Sequence, residues 1–119
     1  MKYLGLDHGN KRIGIAVSDE GGTFAFPRVV LQNTDNIFEE IKKICDEEKI
    51  EKIVLGLPIS FSGQHSNQTE EVKKFADALK RFIDIPLIYE NEIFTSKMTQ
   101  DDAGAAALIL QSYLDRNKN

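Results

Sequence analysis

The chain is poor in the residues that build the commonest metal and covalent sites. Its 119 residues contain one cysteine, Cys45, and two histidines, His8 and His65. A lone thiol excludes both a disulfide framework and a thiolate metal site. Each histidine is isolated, and neither a Ser-His arrangement nor a Walker phosphate loop accompanies them. No apolar run approaches the length of a membrane span. No repeat, low-complexity segment or linker breaks the chain, so one domain over residues 1–119 is expected. Positive charge is also short, with 15 Lys and Arg against 19 Asp and Glu and a net charge of -4. That total argues against a broad phosphate-binding surface. It leaves room for a local one, because clustered acids lower the sum. Lys11-Arg12 and Lys73-Lys74-Lys80-Arg81 are the candidate patches, with a solvated face as the plainer reading of such lysines.

What remains is ordinary for a soluble globular protein: 41% hydrophobic and 29% charged residues, in a chain long enough to bury a core. The first residues run straight into a strand, so no signal peptide and a cytoplasmic location are expected. Cys45 lies between Ile44 and Asp46 in a helical pattern and reads as a buried structural thiol.

The densest information lies in Leu6-Asp7-His8-Gly9-Asn10-Lys11-Arg12-Ile13-Gly14-Ile15-Ala16-Val17-Ser18-Asp19. Tyr3 to Leu6 reads as a buried strand and Ile13 to Val17 as its antiparallel partner. Asp7 then stands at the end of an apolar strand, where a carboxylate needs a cation, a donor or water beside it. Gly9 has no Cβ and lets a backbone or a phosphate come close. Asp7 is therefore the first candidate site residue. For His8 a surface or hairpin role is the plainer reading.

Thr23 to Leu31 reads as a third strand, and Pro27 marks it as an edge strand or a bulge. Thr34-Asp35 is placed to cap a helix from about Asn36 to Lys49, with Ile37, Ile41, Ile44 and Cys45 inward. Ile53 to Leu57 lacks alternation, as a strand covered on both faces does. A helix from about Ser66 to Phe82 follows, with Val72, Phe75, Ala76 and Leu79 on one face. Ile85 to Tyr89 is a further strand, and Asp102 to Leu114 a last helix. This order predicts an α/β fold: a mixed five-stranded sheet, antiparallel through its first three strands and parallel in the last two, with helices on both faces. Ligand sites in such sheets gather at the carboxyl ends of the strands, where Asp7, the loop after Leu57 and the segment after Tyr89 should converge.

More acids lie in two of these segments. Glu90 and Glu92 alternate onto one face at the end of the fifth strand. Asp102, Ala105, Ala106, Ile109, Leu110 and Tyr113 form a single stripe on the last helix. Two readings of Asp102 stand: a site acid facing the sheet, or, with Asp101 beside it, a cap of the helix N-terminus. Asp7, Glu92 and Asp102 together would offer oxygen ligands suited to magnesium or manganese, and so to phosphodiester hydrolysis.

With these residues assembled, the chain resembles the YqgF, or RuvX-like, family of bacterial nucleases and resolvases with the ribonuclease H-like fold. Leu6 to Asp19 matches the signature L-D-x-G-x-K-R-I-G-V-A-V-S-D. Val54-Leu55-Gly56-Leu57-Pro58 with Gly63 resembles the loop V-G-L-P-x-x-x-x-G, and Asp102 with Ala105-Ala106 and Ile109 to Leu114 its closing helix. The resemblance implies that Asp7, Glu92 and Asp102 bind Mg2+ or Mn2+ and carry catalysis. Gly9, Lys11, Arg12, Ser60 and Gly63 are the candidate substrate contacts. It further implies 5′-end processing of pre-16S ribosomal RNA, with cleavage of Holliday junctions in branched DNA as the alternative, the latter calling for a homodimer.

Two departures stand out. The family pattern D-E-R-[LI]-[TS]-[TS] is here Asn91-Glu92-Ile93-Phe94-Thr95-Ser96, so an arginine that would pair with phosphate or carboxylate is missing. Only Lys97 to Asp101 separate Ser96 from Asp102, where family members carry a further helix and a basic loop. Glu90 is a candidate replacement for the lost acid. A third reading follows: a weakened member that binds nucleic acid or protein without turnover. A nucleotide-binding lobe of the actin and sugar-kinase type also opens on D-x-G and a hairpin, but that fold needs two lobes, and this chain supplies one.

Overall fold

The computed structural model describes residues 1–58, 67–92 and 101–117. Its elements are β1 (Tyr3–His8), β2 (Arg12–Ser18), β3 (Ala25–Gln32), α1 (Ile37–Glu48), β4 (Lys52–Pro58), α2 (Asn67–Phe82), β5 (Leu87–Glu92) and α3 (Asp102–Arg116). The strands form one sheet in the order β3-β2-β1-β4-β5. β1, β2 and β3 pair antiparallel, while β4 pairs parallel with both β1 and β5. The mixed sheet expected from the element order is the one observed.

The proline in β3 acts as its chemistry requires. Without an N–H, Pro27 is tolerated only where the ladder is broken or open. β3 is the edge strand, and its register jumps from Ile15↔Val29 to Ala16↔Pro27, leaving Arg28 as a bulge. Other boundaries differ from the sequence reading. α1 begins at Ile37 with Asn36 at its cap position, and Asn36 makes no side-chain capping bond. The Thr34-Asp35 cap is corrected on this point: Thr34 instead supplies its carbonyl to the N–H of Ile37 at 3.0 Å. β5 starts later and runs further than Ile85 to Tyr89, because β4 continues through Pro58 and offers β5 a partner as far as Glu92. Glu90 and Glu92 are thus strand residues. The fifth strand does not end at Tyr89, as the apolar run suggested, but continues to Glu92.

The two faces of the sheet are covered differently. α1 and α2 pack on one face against Leu4, Leu6, Ile13, Ile15, Ile53, Leu55 and Leu57. Each such side chain contributes about 2 kcal/mol on burial, so this face supplies most of the core. α3 covers the other, bringing Ala106, Ile109, Leu110 and Leu114 onto Ala16 and Val54. Cys45 is buried under α1, and burial pushes its thiol up to about 12, which leaves it unreactive. No helix among the described residues is long and apolar enough to cross a membrane.

Candidate functional site

The face under α3 is lined by very small residues, and this decides how closely that helix approaches β1 and β2. A Cβ on Gly5 would lie 2.8 Å from Leu110 Cβ and 2.9 Å from the Ala106 carbonyl oxygen. One on Gly14 would lie 2.0 Å from the carbonyl oxygen of Asp102. Glycine is required at both because the helix backbone rests on the sheet. Strand alternation places Asp7, two residues beyond Gly5, on this same face. Asp7 is also the register partner of Gly14. Gly14 is therefore the common neighbour of Asp7 on β1 and Asp102 at the start of α3.

Asp101, not Asp102, caps α3. Its carboxylate accepts from the N–H of Ala103 at 3.2 Å. Asp102 is thereby released for another partner: its Oδ2 accepts from Nε of Arg12 at 2.8 Å, across 90 residues of sequence. Arg12 opens β2 and alternates with Gly14 and Ala16 onto the α3 face. Lys11, one residue earlier, is exposed and precedes the strand. The two neighbouring cations, equal in the sequence, thus differ in the fold.

The hairpin that carries Asp7 is held by a residue the sequence did not single out. Asn33, just after β3, donates from Nδ2 to the Gly9 carbonyl at 3.0 Å and from its backbone N–H to the Lys11 carbonyl at 2.9 Å. A Cβ on Gly9 would sit 2.7 Å from the Arg12 carbonyl oxygen, so hairpin closure itself demands glycine there. His8 points to the opposite face and packs against Phe75, with ring centroids 4.7 Å apart and the ring planes tilted by 57°. Burial lowers its pKa, with Glu71 opposing, and so favours the neutral imidazole.

Glu90 is not available as a substitute site acid. It is 4% exposed, accepts from Ser112 Oγ at 2.9 Å and pairs with the Arg116 guanidinium. Both partners are on the last turns of α3, so Glu90 clamps β5 to that helix. Burial with a charged partner explains the acid here. Gln111 adds a second tie to the same helix, accepting from the N–H of Ala25 at 2.9 Å and donating to the Thr23 carbonyl at 3.0 Å.

These features sit on a chain whose residues 1–116 match the RuvX family model, described as Holliday junction resolvase. The chain belongs to the RuvX family. A relative from Nitratidesulfovibrio vulgaris is 38% identical over 98% of this chain and 85% of its own length, and is named "Putative pre-16S rRNA nuclease". Among solved structures, RuvC from Thermus thermophilus in complex with a Holliday junction substrate superimposes with a TM-score of 0.63 at 12% identity, covering 98% of this chain and 95% of that one. The Fowlpox virus resolvase with Holliday junction DNA gives 0.61 at 11% identity over the full length of both chains. At such identities these two show the fold, which is ribonuclease H-like.

Of the residues that the RuvX resemblance singled out, Asp7, Gly9, Arg12 and Asp102 surround the β1–β2 hairpin and the start of α3. Glu92 ends β5, and its side chain lies outside the described residues, as do Ser60 and Gly63 and the short segment Lys97 to Gln100. Among the described residues, which omit the Glu92 side chain, no three ligating side chains form a group. The donors present still suit a hard cation: they are carboxylates, and Asp102 already holds the positive Arg12 head group. Nucleases and resolvases of this fold generally use divalent metal ions.

Proposed function

We propose that this chain is a divalent-metal-dependent nuclease that hydrolyses phosphodiester bonds in the 5′-end processing of pre-16S ribosomal RNA, acting in the cytoplasm as one domain. The observation that supports the reading is that Asp7, at the carboxyl end of β1, and Asp102, at the start of α3, both neighbour Gly14. Asp7 and Asp102 would hold Mg2+ or Mn2+, with Glu92 as the third carboxylate. When bound there, such ions supply Lewis acidity to the phosphodiester and its attacking water. The chain's own groups do the rest. Arg12 and Lys11 offer donors to phosphate oxygens, and Gly9 closes the hairpin that presents them. Ser60 and Gly63, which follow β4 in the sequence, are the further substrate contacts that the family resemblance implies.

The test is manganese-dependent cleavage of an RNA carrying the unprocessed 16S 5′ end. Asp7→Asn should lower the rate at least about a hundredfold, since loss of one metal-holding or charge-stabilising group typically costs that much. Cleavage that survives this change refutes the reading. The family's description favours a second substrate, branched DNA. A four-way junction cut symmetrically, by a chain sedimenting as a homodimer, would select it. Tight binding of either substrate without turnover under varied metals would instead mark a binding protein.

A further inference from the structure

Arg12 and Asp102 pair where the proposed reaction needs both of them for other partners. The pair is open to solvent, with side chains 58% and 37% exposed, and it is made through a single Nε–Oδ2 contact. Such pairs are weak, shifting an equilibrium by roughly fivefold at most. A divalent ion competes for the carboxylate, and a phosphate competes for the guanidinium with a bidentate geometry this contact lacks.

We propose that Arg12 is a placeholder cation that makes metal and nucleic acid bind cooperatively in this chain. With neither bound, Arg12 neutralises Asp102 and keeps the acid in position at the head of α3. A nucleic-acid phosphate draws Arg12 away and leaves Asp102 free for the ion. By linkage, the ion on Asp102 releases Arg12 for phosphate by the same factor. The consequence is selectivity: until substrate arrives Asp102 stays neutralised by Arg12, and metal alone loads the site a few-fold less readily than metal with substrate. Lys11 does not share the role, because it lies outside β2 and off the row that Arg12 shares with Gly14. This inference rests on the nuclease reading and deepens it.

The experiment is calorimetric titration of the intact chain with calcium, a hard oxygen-seeking ion, alone and with a short RNA oligonucleotide. Wild type is compared with Arg12→Gln and with Lys11→Gln as a charge control, and thermal melts check that each is folded. Calcium alone should bind Arg12→Gln about threefold or more tightly than wild type. The oligonucleotide should then tighten calcium by a larger factor in wild type than in Arg12→Gln. Equal calcium affinity in wild type and Arg12→Gln overturns the placeholder role. So does an equal gain in Lys11→Gln, which would be a general effect of charge. Absence of binding in all three proteins, with and without RNA, overturns the metal-dependent reading itself.

Discussion

One face of the sheet is large and dry, the other small and charged, and the contrast separates stability from chemistry. Under α1 and α2, leucines and isoleucines of β1, β2 and β4 interlock with aliphatic residues and Phe75. Under α3 the same strands present Gly5, Gly14, Ala16 and Val54, with Asp7 toward the open end. A helix backbone can touch a sheet only where side chains are nearly absent. That contact brings Asp102 to the β1–β2 hairpin, and it costs the apolar area that larger side chains would have buried. Glu90 with Arg116 and Ser112, and Gln111 with β3, add polar ties to the packing of Ile109, Leu110 and Leu114 that holds α3.

The comparison breaks most visibly where the effects are largest. Leu55→Ala on the large face should cost about 3 kcal/mol in chemical denaturation, while the folded fraction keeps its metal affinity. Gly14→Ala adds one methyl group on the small face. Because that methyl would meet the backbone oxygen of Asp102, a loss of about 2 kcal/mol is expected, together with loss of metal binding at temperatures where the protein is folded. If Leu55→Ala weakens metal binding while Gly14→Ala leaves it intact, the division between the faces is wrong.

The smallest effect sharpens the boundary of the large face. His8 has a folded pKa below its ordinary 6.5, mainly because it is buried. A depressed histidine pKa means that the unfolded chain binds more protons, so this stability is present above about pH 6.5 and is lost as pH falls toward the folded pKa. Urea midpoints measured from pH 7 down to pH 5 should therefore decline. In His8→Gln that part of the slope should vanish. An unchanged slope would place His8 outside the packed face.

Much of this was legible in the residues. The order of strands and helices follows from apolar runs of one or the other period, which are local properties. Pro27 announced an edge strand or a bulge, because its missing N–H does not suit a central ladder, and β3 shows both. The stripe Asp102-Ala105-Ala106-Ile109-Leu110 named the sheet-facing side of α3, and the glycine-rich hairpin named Asp7. Less was legible wherever a residue's meaning lies in a distant partner. Glu90 looked like a spare site acid and is a clamp on Arg116. Asn33 carried no signal, since its bonds to Gly9 and Lys11 exist only once β3 has returned beside β2. Asp101 and Asp102 could not be separated as helix cap and partner of Arg12 until the helix start was set against Gly14.

The sequence by itself determined the element order, the two apolar patterns that cover the sheet, and the acids from which a site could be built. Those follow from side-chain volume, periodicity and backbone chemistry within short windows. Only the tertiary structure decided that α3 lies directly on Gly5 and Gly14, that Asp101 takes the cap, and that Arg12 rather than Lys11 meets Asp102. Each depends on two segments brought together across most of the chain, and no local property of either one encodes the distance between them.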